Sequence, residues 1–291
     1  MTALFGRLTV VGVGLIGGSL ALAARKAGLV DEVVGVGRSE ANLRVARARG
    51  IVDQVATDPA AAVAGADVVV LAVPVGACAA LAKSFRPHAA PGAVLTDVGS
   101  VKGSLVTALE AGWRDPGLVV GGHPIAGSEA AGAAAARADL FRGRLCVLTP
   151  TPRTRPEALA PVRALWEGVG ARVEEMDPNV HDEILARVSH LPHLVAYALI
   201  DALAGTGVDG RSVLTYAGDG LRDTTRIAGS RAELWCDIAL ANAVALRAAL
   251  AEFRAALDRL DALVAAGDAA GLTDALEAAR RVRRALDEAS G

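Results

Sequence analysis

The sequence predicts an α/β Rossmann-type dinucleotide-binding domain followed by an all-α domain. Three observations carry that expectation. The fingerprint Gly12-Val13-Gly14-Leu15-Ile16-Gly17 sits between a strand-like run and a helix-compatible one. Short apolar runs then alternate with alanine-rich stretches, the pattern of a mainly parallel sheet covered by helices. Past Met176 the alternation stops and helical periodicity takes over.

Taken in order, Val10-Val11 leads into the glycine turn, Ser19 to Lys26 continues as helix, and Gly28 stops it. Val33 to Val36 is the next strand, which completes the spacing of a βαβ unit. Further strand-like runs cover Asp67 to Val73, Ala93 to Val98, Leu118 to Val120 and Leu145 to Thr149. Asp177-Pro178 reads as a boundary, dividing the chain into domains of residues 1–176 and 177–291. In the second, Leu246, Leu250, Phe253, Leu257, Leu260 and Leu263 recur at steps of three and four. That stripe packs either within its own domain or against a second copy.

At 291 residues the chain is long enough for a substantial core. A net charge of -2 gives no electrostatic reason to expect nucleic acid or an acidic membrane as partner. The cluster Arg280, Arg281, Arg283 and Arg284 reads as a solvated helix face. Leu8 to Ala24 carries no charge, but Gly12, Gly14, Gly17 and Gly18 break it and little positive charge precedes it, unlike a signal segment. Val68 to Ala82 contains Pro74 and Gly76 and falls short of a membrane span. Cys78, Cys146 and Cys236 are isolated, with no metal or disulfide spacing. A cytoplasmic protein is expected.

In the fingerprint, Gly12 and Gly14 permit a tight turn and close approach of a pyrophosphate, while Gly17 lets helix and strand pack. Backbone donors at Leu15 and Ile16 open the helix toward the phosphates. Val73 and Pro74, closing a later strand-like run, complete the expected cofactor site. An NAD-preferring site usually carries Asp or Glu after the second strand; here Gly37-Arg38-Ser39 stands instead. Arg38 can pair with a 2′-phosphate and Ser39 can hydrogen-bond it, which favours NADP or dual use; a solvent-exposed Arg38, or one stacked on adenine, is the alternative. Gly121-Gly122-His123 places an imidazole after an apolar run, where its glycines let a substrate approach the backbone.

Five segments together resemble the prephenate/arogenate dehydrogenase family of tyrosine biosynthesis. They are Gly12 to Ser19, Asp97 to Gly103, Gly122 to Glu129, Ser189 to His193 and Asp223 to Ile227, in the family's order and spanning nearly the whole chain. The resemblance implies a Rossmann-type domain, a helical dimerisation domain, a homodimer, and oxidative decarboxylation of a cyclohexadienyl substrate. Prephenate and arogenate, which differ by keto versus amino on the side chain, both fit.

That chemistry needs a base, an anion anchor and a placed nicotinamide. His123 is the expected base, since a histidine is substantially neutral at physiological pH. Ser100 resembles the family serine near the reacting hydroxyl, and it can also cap a helix beginning near Val101. Arg226 is the expected anchor for a substrate carboxylate, with pairing to Asp223 or Glu233 as the structural alternative. His190 and His193, three residues apart in a stretch expected to kink at Pro192, share a helix face; His193 resembles the residue nearer the substrate side chain, and a satisfied structural role is the alternative for His190. Ser128 and Glu129 resemble family residues at the pocket entrance, with loop capping as the alternative for either. His181-Asp182 resembles a pair in which a carboxylate orients an imidazole, or else it opens a helix. Trp235 either reaches the partner subunit or sits in the core, and Lys102 reads as a surface lysine in a first helical turn. No metal is expected.

Readings from other classes are a metal-dependent hydrolase built on His123, His181, His190 and His193, and a non-enzymatic dinucleotide sensor. A related hydroxy-acid dehydrogenase is the nearest enzymatic alternative.

Overall fold

The structure, a computed structural model, describes residues 3–127 and 130–288. It forms two compact units, residues 1–243 and 244–291. The first opens with β1 (Phe5–Val11), α1 (Leu15–Lys26), β2 (Val30–Val36), α2 (Glu40–Ala48), β3 (Gln54–Ala56), α3 (Pro59–Val63), β4 (Val68–Leu71) and α4 (Val75–Phe85). It continues through β5 (Val94–Asp97), α5 (Gly103–Gly112), β6 (Val119–Pro124), β7 (Leu145–Thr149), α6 (Pro156–Gly168) and β8 (Arg172–Glu175).

These eight strands make one sheet in the order β3-β2-β1-β4-β5-β6-β7-β8. All neighbours are parallel except β6 and β7, which pair antiparallel with His123 opposite Val147. Helices on both faces explain why the β4 sequence Val68-Val69-Val70-Leu71 is wholly apolar and buried. The order reverses between β1 and β4, and the glycine turn leaves β1 at that switch point.

Helices then dominate the chain to residue 241: α7 (Pro178–Leu185), a π-helical turn (Ala186–His190), α8 (Leu191–Leu203), α9 (Asp219–Thr225) and α10 (Ala232–Ala241). A short hairpin, β9 (Gly207–Val208) with β10 (Arg211–Ser212), follows α8. The Asp177-Pro178 signal is a helix start: Asp177 Oδ1 accepts from Asn179 N at 2.7 Å, and Pro178 occupies a first-turn position that needs no donor. The break expected at Pro192 lies earlier, at the π-helical turn, and Pro192 itself sits harmlessly in the first turn of α8. α7 packs on α5 and α10 on α4, so these helices stand over the carboxyl end of the sheet.

The second unit is a helical pair, α11 (Ala243–Ala265) and α12 (Ala269–Glu288). Within it Phe253 is 36% exposed and Leu257 54%, and Val264, Leu276, Val282 and Leu286 are also exposed. The arginine cluster near its end is solvated, with Arg280 bonded to Glu277 at 2.8 Å. No single helix among the described residues is long and apolar enough to cross a membrane.

Candidate active site

The glycine turn fits a dinucleotide by its shape. Gly12 has φ of 98°, and a Cβ there would lie 2.2 Å from the Ala72 carbonyl oxygen. A Cβ at Gly17 would lie 2.4 Å from the Gly12 oxygen. Both glycines therefore serve the turn and the packing of α1 on β1 and β4. Gly14 differs: among the described residues nothing lies within 4 Å of a Cβ placed there, so its open side faces the crevice at the start of α1, where the amides of Leu15 and Ile16 begin the helix. Val73 and Pro74 border the same turn, with Val73 Cγ1 close to Gly12 and Pro74 capping α4. A cavity of about 710 Å³ opens beside it, between Leu15 and the connection from β6 to β7, with Arg142 and Arg144 in its wall. Arg38 is exposed after β2; Ser39 caps α2, its Oγ accepting from Asn42 N at 3.2 Å.

At the far end of β6 stands a three-membered chain. His123 Nδ1 lies 2.8 Å from His181 Nε2, and His181 Nδ1 lies 2.8 Å from Asp182 Oδ1. Asp182 is itself held: Oδ1 accepts from Lys102 N at 2.7 Å and Oδ2 from Gly103 N at 2.8 Å, both at the N-terminus of α5. Gly103 is required for that approach, because a Cβ would lie 2.8 Å from Asn179 Oδ1 and 3.1 Å from Asp182 Oδ2. His123 is 9% exposed and His181 fully buried.

An ionised carboxylate only accepts, so His181 presents Nδ1–H to Asp182. With Nδ1 donating, His181 accepts at Nε2 from His123 Nδ1–H, and the His123 Nε2 lone pair is the other end of the chain. Burial, and then the neighbouring His181 and Lys102, hold the His123 pKa well below its ordinary value. The imidazole is therefore neutral at physiological pH and able to accept a proton.

Lys102 is not on the surface, as its sequence context suggested. Its side chain is fully buried, paired with the equally buried Asp97, and its Nζ donates to the Gly122 carbonyl at 2.9 Å. The glycines before His123 also have a different reason from the one their sequence suggested. A Cβ at Gly121 would lie 2.3 Å from Thr149 Oγ1, and one at Gly122 2.8 Å from the Asp97 carbonyl oxygen. They make room for the protein's own packing. Ser100 does not cap α5, whose N-cap is Lys102 without a side-chain bond; it lies in the loop joining Asp97 to Lys102.

His190 and His193 both face Trp235. His193 stacks on it with ring centroids 3.5 Å apart, and His190 meets it edge-on at 6.1 Å. His193 Nδ1 donates to the Ser189 carbonyl at 2.9 Å. Burial first, and also the nearby Arg226 charge, lower the His193 pKa, so the guanidinium and this ring belong to one neighbourhood. Glu233, the alternative partner for Arg226, instead lies 3.8 Å from Arg231. His190 is more enclosed than a substrate-touching residue was expected to be: it is buried, and its Nδ1 lies 3.1 Å from Asn242 Nδ2. Asn242 also donates to the Asp182 carbonyl at 2.8 Å, which ties His190 to the relay. His190 Nε2 lies by the Ser100 backbone and, among the described residues, makes no hydrogen bond of normal geometry. Ser128 and Glu129 lie outside the described residues. Among those residues, no group of three or more His, Cys, Asp or Glu is arranged to hold a metal ion.

Comparison with known proteins finds a matching family. The family model of the prephenate dehydrogenase nucleotide-binding domain matches residues 20–175, and that of the prephenate dehydrogenase dimerization domain matches 177–278. A cyclohexadienyl dehydrogenase of Zymomonas mobilis is 37% identical over 284 residues, covering 97% of this chain and 96% of the relative. The crystal structure of prephenate dehydrogenase from A. aeolicus in complex with hydroxyphenyl propionate and NAD+ superposes with a TM-score of 0.92 at 34% identity, over 97% of this chain and 98% of the other. Synechocystis arogenate dehydrogenase gives 0.83, also at 34%, over 96% and 99%. With both family domains matched in order, and relatives aligned along nearly its full length, the chain belongs to the prephenate dehydrogenase family.

Proposed function

We infer that this protein is an NAD(P)-dependent oxidoreductase that oxidatively decarboxylates prephenate, arogenate or both. The observation that carries the reading at the level of residues is the Asp182–His181–His123 chain, which ends in an imidazole nitrogen that no described residue is seen to engage. His123 Nε2 takes the proton of the C4 hydroxyl as the C4–H bond breaks. The nicotinamide, when bound, accepts the departing hydride. The C1–carboxylate bond then breaks, its electron pair aromatises the ring, and the oxygen at C4 recovers a proton. As His123 becomes cationic, His181 and Asp182 offer it a hydrogen-bonded route to a fixed carboxylate.

The other roles follow from placement. Arg226, in the neighbourhood of His193, pairs with a substrate carboxylate, and His193 lies toward the substrate side chain. Ser100 and His190 Nε2 supply polar groups beside the relay. Ser128 and Glu129 are assigned to the pocket entrance on resemblance. Gly12, Gly14, Leu15, Ile16, Gly17, Val73 and Pro74 hold the dinucleotide, and exposed Arg38, with the Ser39 hydroxyl still free to donate, admits a 2′-phosphate. The exposed apolar residues of α11 and α12 support a homodimer formed through the helical region. Three free cysteines support a cytoplasmic setting.

Initial rates of nicotinamide reduction, with prephenate or arogenate each paired with NAD or NADP, test this directly. Turnover is expected in at least one pairing, with measurable use of NADP. Folded, dinucleotide-binding protein that is silent in all four is not this enzyme, and strict NAD specificity removes the role given to Arg38.

A further inference from the structure

The Lys102–Asp97 pair is buried, charged and unused by the chemistry above. Burying two charges carries a desolvation cost that their mutual attraction has to offset. A sheet corner needing only hydrophobic filling would be built more cheaply from apolar residues. What the pair touches is specific. The β5–β6 ladder is in register at Leu95 with Val119 and Thr96 with Val120, and extends no further. Gly122, two residues on and immediately before His123, still has both peptide groups turned into a buried region. Asp97 Oδ1 accepts from Gly122 N at 3.2 Å, and Lys102 Nζ donates to Gly122 O at 2.9 Å. Carboxylate and ammonium thus stand in for the missing strand. Asp97 is braced in turn by Gly99 N, 2.7 Å from its Oδ2.

The same lysine holds the other end of the relay. Its backbone N–H is the donor to Asp182 Oδ1 at 2.7 Å. One residue therefore grips β6, which carries His123, with its side chain, and α7, which carries His181 and Asp182, with its main chain.

We propose that Lys102, with Asp97, is a positioning residue for the base: the pair holds the Gly122 peptide so that His123 keeps its place on His181. The inference rests on the reading of His123 as the base. The titratable groups around His123 are His181 from α7, with Asp182 behind it, His190 from the π-helical turn, Lys102 from the loop after β5, with Asp97 paired to it, and Cys146 from β7. Of these, the Lys102 charge lowers the His123 pKa, as do His181 and His190.

The test compares Lys102→Met and Lys102→Gln with wild type and His123→Asn, with rates referred to the concentration of dinucleotide-binding sites so that unfolded chains do not count. Lys102→Met is expected to lower kcat by about 10²-fold, the scale of a misplaced catalytic group. Its dinucleotide affinity should stay within about threefold. Its acid limb of kcat/KM should move to higher pH, because the charge that depresses the His123 pKa is gone. Lys102→Gln, which keeps a donor for Gly122 O, is expected to recover part of kcat but not the position of the acid limb. A lysine that merely stabilised the fold would lower the number of sites and leave both readouts unchanged per site; that result overturns the proposal. If His123→Asn keeps its turnover, the base assignment fails instead. If His123→Asn is inactive while both Lys102 variants match wild type per site, only the positioning role fails. Should neither Lys102 variant fold, the nearly isosteric Asp97→Asn is measured, and wild-type kcat in it is equally fatal.

Discussion

At the scale of single residues, the proton affinity of His123 is set by what surrounds it. An isolated histidine would be half protonated near pH 6.5. Burial and its cationic or imidazole neighbours hold this one neutral well below that, so the acid limb of kcat/KM should lie below the ordinary histidine range. His123→Asn keeps the volume and removes the accepting nitrogen. It should lower kcat by about 10²–10⁴-fold while dinucleotide affinity is kept. Arg226→Ala should do the reverse, raising the substrate KM far more than the cofactor's and lowering kcat little. Steady-state kinetics with a dinucleotide titration separate the two; near-normal turnover in the first, or an unchanged KM in the second, ends that residue's assignment.

At the scale of elements, β6 is shaped by what passes beside it. Gly121 is the tight point, facing Thr149 Oγ1 on β7 and Val106 Cγ2 on α5. Gly121→Ala should cost about 1–3 kcal/mol by overpacking, since both neighbours are buried and cannot retreat. Urea unfolding reads the loss directly, and an unchanged midpoint would mean that β7 or α5 yields without penalty. The α5 N-terminus contributes at the same scale. Its first amides fix the Asp182 carboxylate, so a helix end serves as the anchor of the relay.

At the scale of the whole molecule, buried neutral histidines make the fold sensitive to acid. His123 is held well below 6.5, and burial lowers His190 to about 4. In the unfolded chain both return to the ordinary value, so below pH 6.5 the unfolded state binds more protons than the folded one. Stability should be level above that pH and fall as pH drops from 6.5 toward 4, by about 3 kcal/mol for His190 alone. Chemical denaturation at pH 7, 6 and 5 checks the sign, and a curve flat across that window would contradict it.

The sequence by itself determined the parts that depend on local geometry. Gly12 must adopt a positive φ and Gly17 must let a helix touch a strand, so the dinucleotide turn is readable from spacing alone. The runs that became β2, β4, β5 and β7 were legible because strands buried on both faces are continuously apolar. β8, Arg172-Val173-Glu174-Glu175, was not legible, because a short, largely exposed edge strand carries no such run. The tertiary structure alone decided which polar groups meet. His123 and His181 are 58 residues apart, and Lys102 and Asp182 are 80 apart. Nothing in local spacing distinguishes a lysine that will be solvated from one that will be enclosed with an aspartate five residues before it. That outcome depends on β6 and α7 arriving at the end of β5 and excluding water, since only then does an unpaired charge or peptide group become too costly to leave unmatched.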